Sequence, residues 1–210
     1  PMTMNGEHAA HHQTAANLRG IAYMLIAQAL FIANDTLAKL AAESIPITEL
    51  MALRGVFAII VILIIAWRMG ALRHMRAMAD GRVMARSVLE AVVAVMFLMA
   101  LAHISLGDIT VINQMTPLFL VALSALILKE LVGWRRWTAV VVGFIGVVLI
   151  VRPTGEGINI FALLAIIVAA LVAVRDLLTR QVSPAIPSAI VALGATLSVC
   201  ALGFAGAAVE

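Results

Sequence analysis

The chain has 210 residues, 64% of them hydrophobic and 12% charged, with a mean hydropathy of +1.11. An ordinary soluble domain is about half apolar and about a quarter charged, so a soluble fold could not hide this much apolar surface. Cys200 is the only cysteine, which excludes an intrachain disulfide and argues against a Cys-based metal centre.

Residues 1–17 are polar and carry His8, His11 and His12. No acidic or Cys ligands converge on these histidines, so the segment reads as a disordered cytoplasmic extension and not as a metal site. It shows no charged n-region leading into a short apolar run, so no removable signal peptide is expected. Seven apolar runs follow, over residues 18–37, 47–67, 87–104, 109–128, 137–151, 158–174 and 188–209. Most approach the roughly 20 residues of a bilayer-spanning helix. The fifth is short and needs Trp134 or a locally thin bilayer to reach across. The runs lack the period-two alternation of barrel strands. The expected fold is therefore an all-α, multi-pass helical bundle with seven membrane helices.

Charge sets the expected orientation. With the N-terminus inside and one crossing per run, 11 of the 14 Lys and Arg fall on the cytoplasmic side. Lys39 and Arg152 fall outside, and Arg54 lies within the second run. This is the asymmetry of the positive-inside rule, and it accounts for the net charge of +3 without a nucleic-acid partner. Arg86 and Arg175 are read in the same way, as charges at the headgroups. Trp67, Trp134 and Trp137 fall at the same inner boundaries, where indoles anchor helices.

An internal repeat fixes the architecture. Asp35, Leu37, Lys39, Ile45 and Pro46 return as Asp176, Leu178, Arg180, Ile186 and Pro187 at a constant offset of 141. The first run points outward and the sixth inward, so equivalent segments lie inverted, a recurrent plan of secondary transporters. The domains expected are a tail over 1–17, a first five-helix unit over 18–152, and the first two helices of a second unit over 157–210. The offset extends that second unit to about residue 293 (the first unit's end at 152 carried forward by 141). Ten helices are therefore expected in all, three of them beyond Glu210.

Arg54 lies eight residues after Pro46, about 12 Å into its span at the helical rise of about 1.5 Å per residue. An arginine at that depth faces protein or water and has a partner. Two readings stay open: a structural ion pair with Asp35, or a seat for a carboxylate or phosphate of a substrate, which the planar guanidinium suits. In the fourth run Asn113, Thr116 and Ser124 share a face, and Pro117 withdraws a donor from the backbone ladder. Gln28 and Asp35, seven apart, share a face of the first helix. Glu90 pairs with Arg86 at i,i+4, with proton coupling as its other role. His103 near Asp108 reads as interfacial. Gly143, Gly146 and Ala139 offer a small-residue packing face.

Thr116-Pro117-Leu118-Phe119, Leu128-Lys129-Glu130, Trp137 and Gly143-Phe144-Ile145-Gly146 together resemble the drug/metabolite transporter superfamily, EamA type. The resemblance implies a ten-helix carrier of two inverted five-helix repeats, with Glu130 as a recurrent helix-end residue. The function expected is secondary transport of a small polar metabolite or drug across the cytoplasmic membrane by alternating access. Its site is expected between the repeats, lined by helices 1 to 4 and two helices beyond Glu210, with Arg54, Gln28, Asp35, Asn113 and Thr116 binding substrate and Glu90 available for coupling. No metal or cofactor is expected. The expected partners are a small-molecule substrate and the lipid bilayer, with a homodimer left open. The alternative is a half-carrier that acts only by pairing with another chain. An intramembrane aspartyl enzyme is disfavoured, because Asp35 and Asp108 fall at one face and Asp176 at the other.

Overall fold

The computed structural model describes the backbone of residues 4–127, 129, 133–151 and 159–208. Its helices are α1 (Met4–Ala42), α2 (Ile47–Arg68), α3 (Gly81–His103), α4 (Leu106–Asn113), α5 (Thr116–Ile127), α6 (Trp134–Val151), α7 (Ile160–Gln181) and α8 (Ser188–Ala207). A 3-10 segment, Ala71–Ala79, joins α2 to α3. No strand occurs among the described residues. Six described stretches are long and apolar enough to cross a bilayer, with α4 and α5 together forming one of them. The protein is a multi-pass helical membrane protein. The 18-residue α6 occupies the fifth run and begins at Trp134; it is not among those six, against the seven membrane helices expected.

The largest departures of helix ends from the hydropathy boundaries lengthen the helices, while other ends differ by one or two residues. Residues 4–17 are helical and continuous with α1, where a disordered tail was expected. Ala9, Ala10, Ala15 and Ala16 favour helix, and no proline interrupts them. The α3 helix starts six residues before Ser87, because Asp80 caps it through the backbone amides of Arg82 (2.9 Å) and Val83 (3.4 Å). The α7 helix continues past Val174 to Gln181. Arg82, Arg86, Arg175 and Arg180 thus sit on helical faces and not in loops. Hydropathy marks where lipid contact ends, whereas the helical ladder ends only where a cap or breaker stops it.

The fourth run is two helices. Gln114 and Met115 form a tight turn with i→i−3 bonds, Gln114 N–H to Val111 O (3.1 Å) and Met115 N–H to Ile112 O (2.9 Å). Pro117, second residue of α5, has no N–H to give the Asn113 carbonyl. Ser124, expected on the same polar face, is instead buried, and its hydroxyl has no hydrogen-bond partner.

The closest helix packing is between α2 and α8. A Cβ added to Gly203 would stand 2.6 Å from the Ala52 amide nitrogen, and one on Gly55 would stand 2.7 Å from Cys200 Cβ. Glycines are required at these crossings, and Cys200 is a buried apolar filler between them. The small-residue face expected on α6 is only half used: Gly143 abuts Leu118, while Gly146 meets nothing within 4 Å.

A buried cluster that includes Met51, Leu101, Ile109, Ile112, Met115 and Ala169 joins α2, α3, α4 and α7. The outer helix, α1, is pinned to α3 by Lys39, whose ammonium donates to the Leu101 and Ile104 carbonyls at 2.7 and 2.5 Å. His103 is not paired with Asp108. It stacks on Phe161 at 3.8 Å, while Asp108 accepts from the Ser105 hydroxyl at 2.6 Å. Glu130 and Arg152 lie outside the described residues.

Candidate functional site

A cavity of about 930 Å³ opens between α1, α2, α3, α4, α5, α7 and α8. Asp35, Arg54, Glu90, Asn113 and Thr116 all line it. A smaller cavity of about 220 Å³ adjoins it and is lined by Gln28, Asp35, Thr110, Asn113 and Gln114 among others. Phe31, Asp35 and Asn113 belong to both. The six candidate residues named from the sequence therefore converge on two neighbouring cavities. The break at Gln114–Met115 helps to bring them there, since it presents Asn113 from the end of α4 and Thr116 from the start of α5.

The lining also includes α7 and α8, which the sequence reading left out of the site. Its contributors there stand in a regular relation to those of α1 and α2. Residues 141 apart line the same cavity. On α1 and α7 the pairs are Phe31 with Val172 and Asn34 with Arg175. On α2 and α8 they are Met51 with Ala192, Arg54 with Ala195, Gly55 with Thr196 and Ala58 with Val199.

Charge is distributed unevenly around the lining. Arg86, Glu90 and Arg175 form one contiguous group. Glu90 accepts from both Arg86 (3.4 Å) and Arg175 (3.1 and 3.2 Å), and Arg175 also reaches Asp176 at 2.8 Å. The Arg86–Glu90 pair is the i,i+4 pair of the sequence, extended across to α7 by Arg175. Arg86 also donates to the Thr179 hydroxyl at 3.0 Å, and Arg82 donates to the Gln181 carbonyl at 2.7 Å. Residues 82, 86 and 90 lie on one face of α3, so these contacts form a polar ladder against the C-terminal half of α7.

The other group is Asp35 and Arg54. No ion pair within 4.0 Å joins them, although their charges interact across the gap. Asp35 accepts one side-chain hydrogen bond, from Asn34 at 3.3 Å. Among the described residues, no hydrogen bond or ion pair holds the Arg54 guanidinium. The contact ion pair offered by the sequence is thus not formed.

Arg86 and Arg175 were missed as lining residues. The positive-inside pattern assigns both to headgroups, and the pattern is silent on which way a helix-end arginine points. One signal was present: the offset pairs Arg175 with Asn34, the neighbour of Asp35. Among the described residues, no group of three or more His, Cys, Asp or Glu side chains could hold a metal ion.

Residues 18–152 match the EamA-like transporter family. Three curated proteins illustrate the similarity. The riboflavin transporter of Vibrio cholerae is 29% identical over 169 residues, covering 79% of this chain and 57% of its own length. The pseudopaline exporter CntI of Pseudomonas aeruginosa is 24% identical over 165 residues, covering 78% and 57%. The S-adenosylmethionine uptake transporter of Rickettsia prowazekii is 27% identical over 166 residues, covering 78% and 55%. The match to this chain thus takes in little more than half of each relative's length. No solved structure matches significantly. These relatives bear the names of transporters and not of enzymes. With a family match over well more than half of its residues, the chain belongs to the EamA-like transporter family.

Proposed function

We propose that this chain forms the greater part of a secondary transporter for a small polar metabolite or drug, working by alternating access across the cytoplasmic membrane with its N-terminus inside. The observation that carries the reading is the lining of the larger cavity. Six pairs of residues at the offset of 141 face one space, as expected if two inverted units enclose a shared site. The family match over residues 18–152 supports a first unit of that extent, followed by a second that begins at α7. Positively charged residues flanking the apolar runs support the orientation.

In this reading substrate occupies the larger cavity. Arg54 takes an anionic group, while Gln28, Asn113 and Thr116 offer hydrogen bonds. Glu90 is committed to its two arginines in this arrangement and holds α3 against α7. It acts as a bridge that must open for the other side of the membrane to reach the site.

The test is metabolite profiling of cells and medium with the full-length protein expressed. Wild type is expected to shift the distribution of at least one metabolite across the membrane. Ala195→Phe on α8 or Ala58→Phe on α2 fills the cavity from either unit and is expected to abolish the shift while membrane levels persist. A shift that survives both fillings, or no shift at all, overturns the proposal.

A further inference from the structure

The 3-10 segment between α2 and α3 carries an exposed charge cluster that neither cavity uses. At about 2.0 Å per residue its nine residues extend about 18 Å. A 3-10 helix turns once in about three residues, so its side chains fall into three columns. Ala71, His74 and Ala77 form the inner column: Ala71 is buried and the other two are half-buried. Leu72, Met75 and Met78 form the second. Leu72 and Met78 pack against a cluster that includes Ala189 and Ile190 of α8, while Met75 is exposed. Arg73, Arg76 and Ala79 form the third, and all are exposed. Arg73 and Arg76 therefore stand one above the other, roughly 6 Å apart along the axis.

These arginines have no acid to meet. From Trp67 to Leu89 the chain holds five arginines and one acid, Asp80. Asp80 is committed to backbone amides of α3, Arg82 to the Gln181 carbonyl, and Arg86 to Glu90 and Thr179. Arg68, Arg73 and Arg76 remain. All three are exposed, and among the described residues no hydrogen bond or ion pair holds them. Beside them Trp67, Met69 and Met75 are exposed too. The helices α2 and α3 are both long and apolar enough to span a bilayer, so the segment that joins them lies where two spans meet the headgroups. A guanidinium fork suits a phosphate. A free anion would use the arginines and leave the indole and the two thioethers in water. A phospholipid serves both sets.

We propose that the 3-10 segment is a seat for an anionic phospholipid. Its phosphate lies against the Arg73–Arg76 column with Arg68 beside it, and its acyl chains run past Trp67, Met69 and Met75. The stacked column sets this seat apart from arginines that serve only to orient helices. Because the segment packs on α8 as well as on α2 and α3, a lipid that holds it also braces those helices together.

The test is lipid-dependent thermal unfolding of the purified full-length protein in a neutral detergent. The probes are dioctanoyl phosphatidylglycerol, dioctanoyl phosphatidylcholine and inorganic phosphate, each titrated alone. Phosphatidylglycerol is expected to raise the unfolding temperature at concentrations where the other two do not. Each basic residue near an anionic lipid surface contributes about fivefold in affinity, so Arg73→Gln with Arg76→Gln should weaken the response about 25-fold. The corresponding pair of lysines keeps the charge and should retain part of it. Met75→Glu sets a carboxylate in the neighbouring column and should weaken the response without removing an arginine. Arg19→Gln with Arg136→Gln removes the same charge from exposed positions elsewhere and should change nothing. An equal loss in that control pair means diffuse attraction and overturns the inference. So does an equal response to phosphatidylcholine or to inorganic phosphate, or no response at all. Binding is read without transport, and the seat does not rest on the carrier reading.

Discussion

The cavity has two charged regions of opposite design. Around Glu90 every charge is bridged: Arg86 and Arg175 share its carboxylate, Arg175 also meets Asp176, and Thr179 and the Gln181 carbonyl extend the contacts along α7. Around Arg54 no contact bridge forms among the described residues, although Asp35 faces the same space. The first region spends its charges on holding two helices together. The second leaves its charges unbridged among the described residues and facing the cavity. Spacing explains the difference. Glu90 and Arg86 share one helix at i,i+4 and Arg175 closes on them from α7, whereas Asp35 and Arg54 come from separate helices with cavity between them.

Substitutions that spare one region and break the other test the comparison, and Glu90→Ala is expected to have the largest effect on stability. It leaves two guanidiniums facing each other without their shared carboxylate. The side chains involved are only 16–24% exposed, so solvent screens them little. Removing one partner of a buried pair costs about 3 kcal/mol at the lower end of its usual range. The purified protein should unfold at a clearly lower temperature, and Glu90→Gln should recover part of the loss by keeping a hydrogen-bond acceptor. An unchanged unfolding temperature for Glu90→Ala would show that the bridge carries no stability.

Arg86→Ala is expected to come next. It removes one of the two arginines on Glu90 together with the bond to Thr179, but leaves Arg175 in place. Hydrogen bonds to charged groups contribute about 1.5–3 kcal/mol, so a loss of about 2 kcal/mol is expected, smaller than that of Glu90→Ala. A double-mutant cycle with Thr179→Val isolates the part due to the hydroxyl. Arg82→Ala, at the exposed end of the ladder, should cost less than about 1 kcal/mol, as expected of a solvent-screened contact. A flat series, with all three substitutions equal, would mean that these contacts do not form a graded ladder from cavity to surface.

The two regions were not equally legible in the sequence. The membrane helices follow from apolar runs, and Arg54 was identified because a charge deep within such a run is rarely idle. Gln28, Asp35, Asn113 and Thr116 followed from helical periodicity and from Pro117. The bridged region was only half visible. The i,i+4 spacing gives Arg86 with Glu90, but Arg175 comes from 85 residues further along, and a tertiary approach of that kind leaves no local signature. Charge counting had already assigned Arg175 to the headgroups. The offset of 141 carried the missing information, because it pairs the lining residues of α1 and α2 with those of α7 and α8. Helix ends were misplaced for a different reason: Asp80 as a cap and the alanines before Leu18 act through the backbone ladder, which hydropathy does not sense.

The smallest effect on stability is expected for Arg54→Ala, and it is the sharpest way to separate the two regions. Arg54 makes no contact ion pair, so its removal breaks no bridge; the gap it leaves opens onto an existing cavity and not into a packed core. Relief from placing a charge in a partly desolvated space offsets the lost attraction to Asp35. The unfolding temperature should therefore stay within the range of an ordinary surface substitution, about 0.5 kcal/mol, while metabolite movement falls by tenfold or more. Glu90→Ala should show the reverse weighting, with stability lost first. If Arg54→Ala instead destabilises the protein as much as Glu90→Ala does, then Arg54 is bridged after all, and the two regions share one structural role.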